Sequence, residues 1–385
     1  MKICMVAYTY YSRDPRVRRA AEALADNGYD VDVIALREDR NSPESDGRVH
    51  LISLPLTKWR TGALAYIISY SLFFIYATSL VSYNYLKNRY KLIYCHNMPD
   101  FLVFSGMLPK FFGSKIILDV HDPMLELYST IYGLARESVI SKLILFQCEL
   151  SYRFSDKVLT VHEGMRDLLV RRGVNYNKVE VIHNLPDSGV FGGVEVNQKS
   201  KNEFTLVYAG TVSPRHGLDM AIDAVEILSD EIPEIRFLII GEGPDIPRLK
   251  ELTKKKNIEN RVIFEGAVPL EKIPEYLVNS HLCVVPYLSD LYGELFFPTK
   301  ILESFMVGLP VVCSRTPIVM RYLDETMLFL FNAGVKEDLA NQIKLAYSDK
   351  ELACKKVHAA TEFLAALNWE TEKTRLVSII DEILA

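Results

Sequence analysis

The chain reads as short, mainly apolar runs separated by amphipathic stretches. Lys2–Tyr8, Val31–Leu36, Leu92–His96, Lys115–Val120, Asp156–Thr160 and Val179–His183 punctuate the first half. Phe204–Ala209, Ile235–Gly241, Val262–Phe264, His281–Pro286, Leu309–Cys313 and Met327–Phe331 punctuate the second. Runs of this length with little polar alternation predict parallel strands buried on both faces. Between them, apolar positions recur at helical spacing. After the first run, Val17, Ala20, Ala21 and Leu24 share one face, and Asn27-Gly28 closes the helix. This repeated strand–helix–strand pattern predicts an α/β protein of two successive doubly wound domains. The expected boundaries are 1–187, a Gly-, Asn- and Lys-rich linker at 188–203, a second domain at 204–367, and a last helix at 368–385.

Composition narrows the class. A length of 385 residues exceeds one ordinary core, and 49% apolar with 24% charged residues is the balance of a folded protein. Six scattered cysteines form no C-x-x-C pair or Cys/His cluster, which excludes a disulfide framework and a zinc site of the usual spacing. Through residue 190 the chain carries 23 Lys+Arg against 20 Asp+Glu; the remainder carries 21 against 29. The less acidic first half suits an anionic partner, but no aromatic-studded basic patch points to nucleic acid. Met1–Met5 reads as a strand rather than a signal peptide, so a cytoplasmic location is expected. Ala63–Tyr83 is twenty-one residues without a charge, long enough to span a bilayer. Because Lys91–Cys95 resumes the same sheet, the segment reads instead as a long helix packed on that sheet. Its Tyr/Phe face (Tyr66, Tyr70, Phe73, Phe74, Tyr76) is a candidate for the membrane interface, with burial in the core as the alternative.

Candidate chemistry gathers where strands end. Glu294–Val312 opens a helix with Pro298-Thr299, stops it at Gly308, and places Lys300 and Glu303 three apart on one face. The unpaired N–H groups around Phe297, Pro298 and Thr299 offer a seat for phosphate, and Glu303 can accept from two sugar hydroxyls. Arg13 and Arg16 follow the first strand, His96 ends the third, and His121 follows the fourth, all at the crevice side of a parallel sheet. Gly210, Thr211, Arg215 and His216 follow the first strand of the second domain, a plausible phosphate cradle.

These stretches resemble the retaining glycosyltransferases of family 4. Glu303 matches the second Glu of their Glu-x7-Glu segment, and Gly308-Leu309-Pro310-Val311-Val312 matches its G-x-P-V-V tail. Leu295 stands at the first Glu, with Glu294 one residue out of register. Pro298-Thr299-Lys300 with Glu303 fits the subset that reads P-x-K-x-x-E. Asp14-Pro15-Arg16-Val17, Asp119-Val120-His121-Asp122 and Asn184-Leu185-Pro186-Asp187 are similar to other family segments. The resemblance implies that His121 contacts the donor sugar near the reacting carbon. It implies that the backbone at Val268 meets the nucleotide base. Thr211 and His216 stand where Arg and Lys are common, which leaves Arg215 and Lys300 to supply the positive charge.

The resemblance further implies the GT-B architecture: two Rossmann-like domains facing each other across a cleft, with the C-terminal helix returning to the first. The implied reaction moves a sugar from a UDP- or GDP-linked donor to an acceptor hydroxyl, with His121, Lys300 and Glu303 central. No D-x-D motif sits at a strand end, so no metal and no cofactor is expected. Arg13, Arg16 and His96 are candidate acceptor or phosphate contacts. The acceptor expected is a saccharide or lipid-linked saccharide of surface polysaccharide synthesis, reached from the inner face of the cell membrane. A sugar-nucleotide epimerase of the same shape would isomerise the donor alone. A non-catalytic sugar-nucleotide-binding subunit would bind it without turnover, and the absent G-x-G-x-x-G disfavours a dehydrogenase.

Overall fold

A computed structural model describes residues 1–38, 47–59, 62–193, 203–290 and 293–385. The chain forms two compact units, Met1–Asn184 with Glu370–Ala385, and Leu185–Trp369. Within the expected linker, Ser188–Phe191 is a helical turn, and 194–202 lie outside the described residues.

The first unit is built on seven parallel strands: β1 (Lys2–Ala7), β2 (Asp30–Leu36), β3 (Val49–Leu54), β4 (Leu92–His96), β5 (Lys115–Val120), β6 (Lys157–Thr160) and β7 (Val179–Val181). Their order is β3-β2-β1-β4-β5-β6-β7. β1, β2, β4 and β5 are buried almost throughout, as their apolar runs require. β3, absent from the runs that predict strands, is one of the two edge strands; its His50, Leu51, Ile52 and Ser53 are exposed or half-exposed and lack the apolar run that marks the others. The final helix Trp369–Leu384 packs within this unit through buried Leu376, Ile379 and Ile380. Tyr29 donates to Asp381, and Glu372 accepts from the His183 backbone N–H at 2.9 Å.

The second unit carries six parallel strands: β8 (Phe204–Ala209), β9 (Ile235–Ile240), β10 (Val262–Gly266), β11 (Leu282–Val285), β12 (Val311–Ser314) and β13 (Phe329–Phe331), ordered β10-β9-β8-β11-β12-β13. β12 starts two residues later than its apolar run. Pro310 has no N–H for the ladder, although its carbonyl accepts from Cys283 N at 2.9 Å.

In both sheets the strand order reverses beside the first strand, between β1 and β4 and between β8 and β11. Loops leaving a parallel sheet on opposite faces open a crevice at such a switch point. Most residues singled out for chemistry lie at these strand ends, on the loops that follow or at the start of the next helix: Arg13 and Arg16 after β1, His96 at the end of β4, Gly210–His216 after β8, and Phe297–Glu303 after β11; His121 follows the neighbouring β5.

The helix Ala63–Asn88 packs its Tyr70, Phe73, Ala77, Val81 and Tyr85 stripe into the first core. The face expected at the membrane interface is therefore largely the packed one. Tyr70 and Phe73 are buried, Tyr66 and Phe74 are half-buried, and Tyr76 alone of the five is exposed. Ala77 and Val81 are buried with the rings of Tyr70, Phe73 and Tyr85, and Leu64, Ile67, Ile68, Ile75, Tyr76 and Tyr83 face outward.

Candidate functional site

In the first unit, Asp14 caps the helix Pro15–Asp26 and grips Arg16, with Nε–Oδ1 at 3.1 Å and the second pair at 3.2 Å. Burial alone would push the Asp14 carboxyl up, but the Arg16 guanidinium holds it well below the usual range. Arg16 also faces the charges of Asp122 and Asp119. Arg13 is exposed, with its guanidinium 5.5 Å from the Tyr10 ring centre.

Asp119 at the end of β5 accepts from Tyr94 Oη at 2.8 Å and from His96 Nδ1 at 3.3 Å. The same His96 nitrogen lies 3.2 Å from His121 Nε2, and the two rings are parallel at 5.5 Å. Asn97 ties the ends of β4 and β5 together by accepting from His121 N at 2.8 Å and donating to the Asp122 carbonyl at 2.7 Å. Burial pushes the His121 imidazole down to about 4, so it is neutral at physiological pH. His96 Nε2 and His121 Nδ1 are buried without a hydrogen-bond partner. Orphaned polar atoms of this kind are costly and mark positions where a ligand hydroxyl would be welcome. The trio His96, Asp119 and His121 is also close enough to hold one cation, as is Asp30, Asp32 and His50. Arg16 already sets a positive charge against Asp119.

In the second unit, the Lys300 side chain reaches back from the helix Thr299–Met306 to the end of β8. Its ammonium lies 4.9 Å from the ring centres of both Tyr208 and Tyr287 and is hydrogen-bonded to Tyr287 Oη. Gly210, at φ 144°, makes this approach possible: a Cβ there would stand 3.2 Å from Lys300 Nζ and Cε. Gly217, at φ 63°, closes the following loop where a Cβ would fall 2.0 Å from the Pro286 carbonyl oxygen.

His216 is buried and braces the loop from inside. Its Nδ1 donates to the Thr211 carbonyl at 2.6 Å, and its Nε2 accepts from Arg215 Nε at 3.3 Å. Burial, with Lys300 and Arg215 nearby, pushes it down to about 3, so it supplies no positive charge in place of a lysine. It stacks on Tyr287 at 4.7 Å. Thr211 is exposed and Arg215 half-buried. Glu303, one turn into the helix, accepts from Thr299 Oγ1 at 3.3 Å; burial raises its carboxyl, and Lys300 and Thr299 draw it back. Pro298 caps the helix, and Phe297 meets Tyr322 edge-on at 5.7 Å. Val268 lies beyond β10, two strands from β8. Glu294 is exposed and accepts from Ser289 Oγ at 3.4 Å, while Leu295 is half-buried.

The second unit thus brings Gly210, Thr211, Arg215, His216 and Lys300 into one cluster, and the first brings together Arg16, His96 and His121. The sequence reading missed Asn97, Tyr208 and Tyr287. A tyrosine next to a strand end carries no signal of its own until the lysine it receives is known.

Residues 14–185 match the model of the glycosyl transferase 4-like domain, and residues 194–363 that of glycosyl transferases group 1. The chain is 26% identical to a phosphatidylinositol N-acetylglucosaminyltransferase subunit of Arabidopsis thaliana over 61% of its length and 49% of the relative's. It therefore spans about half the length of that relative. It is 24% identical to the O-antigen biosynthesis glycosyltransferase WclY of Escherichia coli, over 68% of this chain and 70% of that one. In fold it is similar to sucrose-phosphate synthase from Thermosynechococcus elongatus, with a TM-score of 0.81 at 19% identity over 100% and 99% of the two chains. It is also similar to Anabaena HepE in complex with UDP-glucose, at 0.73 and 17% over 99% and 100%.

Proposed function

Because the chain is a glycosyltransferase of the group 1 and 4-like type with the GT-B fold, we propose that it moves a sugar from a UDP- or GDP-linked donor to an acceptor hydroxyl with retention at the anomeric carbon. The acceptor oxygen forms its bond to that carbon as the bond to the diphosphate oxygen breaks. The hydroxyl proton passes to the departing phosphate. The observation that carries this reading is the Lys300 ammonium, held by two tyrosines over Gly210 at the switch point of the second sheet. There it meets a leaving diphosphate together with Arg215 and the first turn of the helix Thr299–Met306. Glu303 holds ribose hydroxyls, Phe297, Pro298 and Thr299 border the phosphate seat, and the backbone at Val268 meets the base. His121, neutral and with an unpartnered ring nitrogen, contacts the donor sugar. Arg13, Arg16 and His96 serve the acceptor.

This scheme uses no metal. The acceptor is a saccharide or lipid-linked saccharide. Support comes from one relative named for phosphatidylinositol and another named for O-antigen synthesis. The helix Ala63–Asn88 supports a peripheral position on the inner face of the membrane: by length and composition it could cross a bilayer, and 28% of its most apolar window is buried. Leu295 at the first motif Glu favours a second reading, donor binding without turnover.

A thermal-shift screen with UDP, GDP, ADP, TDP and CMP, with and without EDTA, tests the proposal. One diphosphate is expected to raise the melting temperature equally in both conditions, by an amount corresponding to about 2.7 kcal/mol at a hundredfold excess over Kd. Silence from all five refutes donor binding. Binding without sugar transfer to any lipid-linked acceptor selects the second reading.

A further inference from the structure

The first unit carries a second apolar surface that neither sugar transfer nor the folding of its core uses. On the helix Val139–Phe154, Val139, Ile140, Leu143, Phe146 and Leu150 form an exposed stripe, with Leu143 61% and Phe146 58% accessible. The opposite side of the same helix is packed through Cys148 and Tyr152. An ordinary surface helix turns its polar side outward; here both sides are largely apolar. Beside it the short helix Met107–Phe111 and the next residue expose Phe111 at 83% and Phe112 at 57%.

The short helix lies against the edges of the other two. Phe112 stacks at 6.0 Å on Tyr85, a buried member of the packed stripe of Ala63–Asn88 that sits beside the exposed Tyr83 and Leu86, and Lys110 donates to the Phe154 carbonyl at 2.6 Å at the end of Val139–Phe154. Basic side chains border the apolar ground. Lys87 and Arg89 lie over the rings of Tyr83 and Tyr85, and Arg136 and Lys142 flank the start of the stripe. Of the acids in the region, Glu149 is engaged by Arg153 and Asp156 by Lys110, and the exposed Glu137 adjoins Arg136, leaving the basic groups in excess. The surface is therefore apolar at its centre and basic at its margin, with tyrosines between, which is the chemistry of the boundary between lipid headgroups and acyl chains.

We propose that the outer faces of Met107–Phe111 and Val139–Phe154 form, with Ala63–Asn88, one docking surface for an anionic lipid bilayer. The proposal rests on the membrane-facing reading of Ala63–Asn88 given above and extends it to helices that are too short to cross a membrane. Basic margins favour a leaflet bearing anionic headgroups, and three helices lying in the interface hold the unit at a fixed depth.

The test is flotation of the full chain with vesicles of phosphatidylcholine alone and of phosphatidylcholine with phosphatidylglycerol. The variants are Leu143→Ser with Phe146→Ser, Phe111→Ser, and Ile75→Ser. Wild type is expected to float with anionic vesicles and to be released by salt. The Leu143/Phe146 variant is expected to lose about tenfold or more in partitioning, as removal of two interfacial apolar side chains implies. Its melting temperature and its response to nucleoside diphosphate are expected to stay at wild type, because the substituted residues are exposed. Vesicle binding equal to wild type in the Leu143/Phe146 and Phe111 variants overturns the proposal, and the Ile75 variant separately scores the reading of Ala63–Asn88. A dimer in lipid-free buffer that Phe146→Ser dissociates, without vesicle binding, assigns the stripe to a second copy of the chain and also overturns it.

Discussion

Replacing Lys300 by methionine keeps the hydrocarbon stem between the Tyr208 and Tyr287 rings and removes only the ammonium. In the free protein the loss is local: Tyr287 Oη gives up one charged partner, a cost of up to about 1.5 kcal/mol where the hydroxyl can turn to another acceptor or to water. In the donor complex the loss is larger, because the ammonium faces a diphosphate. A hydrogen bond to a charged group contributes about 1.5–3 kcal/mol, and the half-buried position screens it less than open water would. The affinity for the nucleoside diphosphate is expected to fall about 10- to 150-fold. The affinity for the matching nucleoside, which has no phosphate, is expected to change less than twofold. Isothermal titration with both ligands separates the two. Equal loss for nucleoside and diphosphate would mean that Lys300 supports the shape of the site rather than the charge of the leaving group. Unchanged diphosphate affinity would remove Lys300 from the site altogether.

Two further predictions concern neighbouring groups. Glu303→Ala is expected to weaken nucleoside diphosphate binding about tenfold and to abolish the preference for ribose over deoxyribose, as judged by competition titration; a preserved preference would detach Glu303 from the sugar. His121 and His216 are held at about 4 and about 3 against an ordinary 6.5, so the unfolded chain binds more protons than the folded one below pH 6.5. Stability is therefore full above pH 6.5 and declines as pH falls toward 4, by an amount on the order of 3 kcal/mol for His121 alone. Urea midpoints at pH 7.5 and pH 5 check this, and His121→Asn should flatten the difference; an equal slope in the variant would contradict it.

The strands were legible because burial on both faces demands continuous apolar runs, and in a chain this long few other elements produce them. β3 was not, since His50 and Ser53 break its apolar run and leave it partly exposed. The helix after Pro298 was legible from its proline start and glycine stop. The outward face of Ala63–Asn88 was not, because a helix apolar nearly all round offers no polar side to mark solvent. At the site, residue types placed Lys300 beside a phosphate cradle. They could not show that His216 turns inward, since its partners are a backbone carbonyl and a neighbouring arginine.

The first unit takes its strands from the beginning of the chain and its last helix from the end, so the polypeptide passes out of it near Asn184 and re-enters near Glu370. During synthesis the helix of this unit at Trp369–Leu384 emerges only after the second unit has been made. Until residues 370–385 emerge, the ground covered by Leu376, Ile379 and Ile380 stays open, and the entire second unit is available to fold in the interval. A nascent chain halted before Glu370 would hold one finished unit and one lacking its closing helix.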